Sequence, residues 1–166
     1  ANQSVCPGMI ATFTVAASGA GPLTYQWKKN GTNLSDSGHY SGVSTATLTV
    51  SNVDANDLAN YRCVITNLGG SVNSNQAAIN LRTATTITQQ PQSQAVNAGG
   101  TATFSVTATG DGTPAYAWSK DGQPLSDDGR IVGAATATLT INSVVPEDAG
   151  SYSVEVTGGC GDVSSQ

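Results

Sequence analysis

The sequence has little charge. Asp, Glu, Lys and Arg make up 10% of its 166 residues, aromatic residues 5%, and histidine occurs once. Six basic residues spread along the chain, with a formal net charge of −5, leave no positive patch for a nucleic acid. No run approaches the ~20 apolar residues that cross a bilayer, and neither a signal peptide nor a basic amphipathic helix appears, so membrane insertion is not expected. The lone His39 lacks the neighbours that a metal centre or a catalytic set would need. A Ser/His/Asp set, a paired-carboxylate cleft, a phosphate-cradling glycine loop and a Cys/His cluster are all missing. These absences argue against an enzyme and against a bound cofactor.

Thr, Ser, Ala, Asn and Gly dominate instead, a mixture suited to pleated, half-buried strands joined by turns. Ala11, Phe13, Val15 and Ala17 alternate with Thr12, Thr14 and Ala16, the period of a strand with one buried face. Ala46, Leu48 and Val50 repeat the pattern. Asn30-Gly31 and Asp121-Gly122 are strong hairpin dipeptides. The chain is also internally duplicated. Trp27 and Trp118 are 91 positions apart (118 − 27), and Tyr61 and Tyr152 share that offset. The same register pairs Ala11–Val15 with Ala102–Val106 and Thr45–Val50 with Thr136–Ile141, without a gap.

Asp57-Leu58-Ala59-Asn60-Tyr61-Arg62-Cys63 returns as Asp148-Ala149-Gly150-Ser151-Tyr152-Ser153-Val154. An acid, then Tyr four residues on, at the start of a strand resembles strand F of the immunoglobulin-like fold, where the Tyr anchors the corner between strands E and F. Trp27 and Trp118 resemble the buried strand-C Trp of that family. The resemblance, to tandem bacterial repeats of the I-set kind, implies an all-β chain of two immunoglobulin-like β-sandwiches arranged end to end, residues 1–82 and 83–166. It places Trp27, Tyr61, Trp118 and Tyr152 in the two cores. It also implies that the first unit lacks its A strand and that strand G, roughly Ser71 to Leu81 in the first unit, is cut short in the second. The missing edges would be covered by neighbouring repeats of the array, or by a strand from an adjacent chain.

The cysteines depart from the family. The usual bridge joins strands B and F, but the strand-B positions hold Val15 and Val106, and strand F holds Cys63 in one unit and Val154 in the other. Cys63 is expected to be a buried free thiol. Cys6 precedes the turn into strand B of the first unit, and Cys160 lies in the F–G turn of the second. In a head-to-tail tandem of this fold those turns face one junction, so a Cys6–Cys160 bridge is expected although the residues are 154 positions apart (160 − 6). Free thiols, an interchain bridge or a Cys6–Cys63 pair are the alternatives.

By the same resemblance His39–Asp57 and Arg130–Asp148 are structural ion pairs at the corners. Asp127 and Asp128 are weak calcium candidates in a turn whose ordinary reading is a solvated loop. The function implied is a non-enzymatic structural or adhesive module on a bacterial surface or secreted array, its partners being neighbouring immunoglobulin-like repeats and a surface protein or glycan. The alternative is a carbohydrate- or protein-binding accessory module of a secreted enzyme, for which Tyr40 is the one candidate exposed aromatic.

Overall fold

The computed structural model describes all residues, Ala1–Gln166. It divides into two compact units, Ala1–Arg82 and Thr83–Gln166. In the first, the strands are β1 (Gln3–Val5), β2 (Ala11–Thr14), β3 (Thr24–Lys29), β4 (Thr32–Asn33), β5 (Tyr40–Ser41), β6 (Thr47–Val50), β7 (Asn60–Asn67), β8 (Gly70–Asn73) and β9 (Ala77–Leu81). One sheet runs β1-β9-β7-β3-β4, with β8 also paired to β7, and the facing sheet runs β2-β6-β5. In the second unit they are β10 (Thr86–Gln89), β11 (Ala102–Ser105), β12 (Thr107–Thr109), β13 (Ala115–Lys120), β14 (Gln123–Pro124), β15 (Ile131–Val132), β16 (Thr138–Ile141), β17 (Tyr152–Gly158) and β18 (Gly161–Ser164). These form β14-β13-β17-β18 and β11-β16-β15, plus a β10-β12 pair. The chain is all-β, two immunoglobulin-like sandwiches in tandem.

Each unit repeats the other's register. Trp27 lies opposite Cys63 on β3 and β7, and Trp118 opposite Val154 on β13 and β17. Phe13 faces Leu48, as Phe104 faces Leu139. The alternating apolar residues of both sheets therefore meet in one core per unit, and the two tryptophans belong to separate cores. Their indoles are satisfied in the same way: Trp27 Nε1 donates to Thr45 O at 2.9 Å, and Trp118 Nε1 to Thr136 O at 2.8 Å. The hairpin dipeptides do what their chemistry allows, with Asn30, Gly31, Asp121 and Gly122 all at positive φ, the conformation that matches the twist of the strands they join.

Two strand boundaries differ from the expectation. The strand expected over Ser71 to Leu81 is broken, because Ser74 leaves the ladder: its N–H donates to Cys63 O while its Oγ accepts from Cys63 N–H. The strand expected to reach Ala17 ends at Thr14, and Val15 N–H donates to Ala46 O beyond it.

Gly42 and Gly133 occupy equivalent turns with φ of 76° and 85°. A Cβ at either would run into the carbonyl of Thr47 or Thr138. Gly42→Ala and Gly133→Ala are each expected to destabilise their own unit by about 1–3 kcal/mol, read from the denaturation midpoint. Gly31→Ala, where a Cβ meets open space, should cost less.

Candidate functional site

The densest polar constellation lies at the corner before β7. Asp54 accepts from Asn56 N–H at 2.7 Å, and its own N–H donates to Asp57 Oδ2 at 3.1 Å, which winds Ala55–Asp57 into a single 3₁₀ turn. That turn holds the Asp57 side chain inside the sandwich, only 1% exposed. A buried carboxylate must be satisfied, and four side chains supply donors to Oδ1. These are His39 Nε2 at 2.9 Å, Tyr40 OH at 3.0 Å, Lys29 Nζ at 3.2 Å and Tyr61 OH at 3.4 Å. Tyr61 OH also donates to Asp57 O at 3.2 Å, closing the corner from its start to the strand four residues on. Phe13 stacks on the Tyr61 ring with centroids 5.0 Å apart.

The second unit builds the same corner with fewer parts. Pro146 opens the 3₁₀ turn Pro146–Asp148, and Val145 N–H donates to Asp148 Oδ2 at 2.8 Å. Arg130 meets the carboxylate with two nitrogens, Nη1 on Oδ2 at 2.7 Å and Nη2 on Oδ1 at 2.9 Å. Tyr152 OH donates to Asp148 O at 2.7 Å. One planar guanidinium here serves where His39, Tyr40 and Lys29 serve in the first unit. Lys120, the counterpart of Lys29, turns instead to Asp121 at 3.2 Å.

Electrostatics follow from this geometry. Burial pushes the Asp57 carboxyl up, but hydrogen bonds from His39, the Asp54 amide, Lys29 and Tyr40 outweigh it and hold the pKa at about 2. For Asp148 the Arg130 fork is the leading cause, and its pKa is also about 2. Burial raises the Tyr61 hydroxyl and the Cys63 thiol, keeping both protonated. Both acids titrate below their value in an unfolded chain, so each stabilises its unit above that ordinary value of roughly 4. The stabilisation fades as pH falls from about 4 through about 2. An acid titration by circular dichroism should show no loss between pH 7 and about 5 and a steep loss below about 4; Asp57→Asn should flatten the acid limb of the first unit.

Several other residues singled out from sequence have structural employment. Trp27, Tyr61 and Trp118 are buried and Tyr152 partly so. Cys63 is a free, buried cysteine, whereas Cys6 and Cys160 are both disulfide-bonded. Asp127 Oδ1 accepts from Ala134 N–H at 2.8 Å, and Asp128 Oδ1 from Ile131 N–H at 2.7 Å and Arg130 N–H at 2.9 Å. Both carboxylates thus close turns, the use that turn acids ordinarily have. Tyr40, the candidate exposed aromatic, is half-buried with its hydroxyl on Asp57 and on Lys29. Sequence reasoning missed Lys29 and Tyr40 as members of the corner: Tyr40 only follows His39 in the chain, and Lys29 reaches the corner through its cross-strand pairing with Tyr61.

Two facing sheets, a tyrosine corner and a buried strand tryptophan, all present twice, define a tandem of immunoglobulin-type sandwiches. Comparison with known proteins agrees. The immunoglobulin I-set domain matches residues 85–166, and an immunoglobulin domain model matches residues 1–67. The SPEG neighbor protein of Homo sapiens is 30% identical over 161 residues, which cover 93% of this chain and 67% of that protein. The chain belongs to the immunoglobulin domain family. Hemicentin-2 of Mus musculus is 31% identical over 157 residues, 94% of this chain but 3% of that protein, and Protein sax-3 of Caenorhabditis elegans is 30% identical with 12% of its length covered. Among solved structures, the I-band fragment I67–I69 from titin aligns with a TM-score of 0.76 at 23% identity, covering 99% of this chain and 60% of that one. Drosophila OTK extracellular domains 3–5 align at 0.62 and 27%, covering 98% and 56%.

Proposed function

We propose that this chain is a non-enzymatic, extracellular structural or adhesive module, a tandem section of a longer immunoglobulin-like array. The observation that carries it is the corner built twice on one plan: the corner acids bind their cations and the turn carboxylates cap backbone amides, so these polar groups serve the scaffold. The relatives of which this chain spans 3% and 12% support the setting in a much longer protein, and the likeness to extracellular domains of OTK supports the compartment. A bacterial source rests on the family resemblance and on the Thr- and Asn-rich, mildly acidic composition; the relatives named above are animal proteins. The carbohydrate-binding form of the accessory-module reading loses its candidate ring with Tyr40, and the exposed large hydrophobics, Met9, Ile10, Leu58 and Leu68 among them, offer no sugar-stacking ring in its place.

The Cys6–Cys160 bridge is part of this proposal, supported by two oxidised cysteines and a third that is free and buried. Such a bridge would carry tension past both sandwiches, making the section inextensible. Pulling the chain by its termini tests this. Without reductant no sandwich should unfold; with reductant two steps of roughly 250–300 Å should appear, one per unit. Unfolding steps in the absence of reductant would remove the bridge and the inextensible section with it.

A further inference from the structure

The two units carry opposite charge on the same outer face. On β3 and β7 of the first unit Trp27 and Cys63 point into the core, so their neighbours Lys28 and Arg62 point out. These two are register partners, one cation directly opposite another. Like charges so placed repel, and neither has an acid within ion-pair distance. The Arg62 Nε is also buried without a hydrogen-bond partner, beside a cleft of about 340 Å³ that Asn30, Asn60 and Gln76 help to line. An enclosed donor without an acceptor is costly, and an arriving carboxylate would satisfy it. The fold does not require this pair, because the equivalent partners in the second unit are Ser119 and Ser153.

In the second unit Val154 and Val156 are buried and Val163 packs on the core, which turns Glu155 and Asp162 outward on β17 and β18. Both are exposed, and neither has a cation within ion-pair distance. Glu155 lies opposite Ser164 and Asp162 opposite Thr157, so the two acids are diagonal neighbours roughly 7–8 Å apart. Around them Ala115, Ala117, Thr157 and Ser164 are short and exposed, so the carboxylates stand proud of the face. The whole units follow the same division: net charge is +1 in the first (4 − 3) and −6 in the second (2 − 8).

We propose that the β3–β7 face of the first unit docks on the β17–β18 face of the second unit of another copy of this chain. One carboxylate meets the Arg62 guanidinium at its cleft and the other meets the Lys28 ammonium, which relieves the repulsion between the two cations. The contact joins unlike surfaces, so it can recur from copy to copy. Exposed ion pairs are individually weak, so the association belongs to high protein concentration and low salt.

Sedimentation equilibrium of the whole chain should show self-association at about 10 mM salt that weakens about tenfold or more by about 0.5 M. Lys28→Glu with Arg62→Glu makes both faces acidic, and Glu155→Lys with Asp162→Lys makes both basic. Each double variant alone, its fold checked by circular dichroism, should lose association about tenfold or more, and an equimolar mixture of the two should regain it. The proposal is overturned by an unaltered chain that stays monomeric at low salt, by association that survives either double variant, or by a mixture of folded variants that stays monomeric. A monomeric chain that binds a sulfated polysaccharide through Lys28 and Arg62 would assign this face to a glycan and overturn it equally.

Discussion

Asp57→Ala is expected to destabilise the first unit by about 3–5 kcal/mol, the scale of breaking a buried, hydrogen-bonded charge cluster. The carboxylate is 1% exposed, and its removal strands the Lys29 ammonium, the His39 ring, two tyrosine hydroxyls and the Asp54 amide together. Asp57→Asn keeps an acceptor for some of these donors and should cost less, about 1.5–3 kcal/mol. The equivalent Asp148→Ala should cost only about 1–2 kcal/mol, because its partner Arg130 is 38% exposed and can turn to water. Chemical denaturation followed by hydrogen exchange, which separates the units, gives the order. Equal losses for the two alanine variants would mean that the first corner is not the buried hub described above.

Trp118→Ala is expected to unfold the second unit outright. The ring is 1% exposed, packs at 6.2 Å from Phe104 and donates to Thr136 O, so its loss removes about 3–5 kcal/mol. A domain of this length has roughly 4–12 kcal/mol in all, and Phe104 and Tyr152 pack against the same core as Trp118. Trp118→Phe, which keeps most of the volume, should leave it folded. In the Trp118→Ala protein, amides of β13, β16 and β17 should exchange at the rate of an unfolded chain while those of β3, β6 and β7 stay protected. Loss of protection in both sets would show one shared core.

Much of this architecture is legible before any coordinates, for a physical reason: duplication samples the same fold twice. Chance alternation in one segment is weak evidence, but Phe13, Trp27, Leu48 and Tyr61 recurring as Phe104, Trp118, Leu139 and Tyr152 at one offset is not chance. Where the units diverge, the repeat says less. His39 stands to Asp57 as Arg130 stands to Asp148, but Lys29 and Tyr40 have no such guide, because their counterparts Lys120 and Ile131 do other things. The break between β8 and β9 was signalled by Asn73-Ser74-Asn75, three turn-forming residues inside an otherwise apolar alternation.

Native-state hydrogen exchange on the unaltered chain, across a denaturant series, tests the central claim of two separate cores most directly. Two families of slow amides should appear, one in Ala1–Arg82 and one in Thr83–Gln166, each converging on its own opening transition. A single transition releasing amides around Trp27 and Trp118 together, with the denaturant dependence of the whole chain, would contradict it.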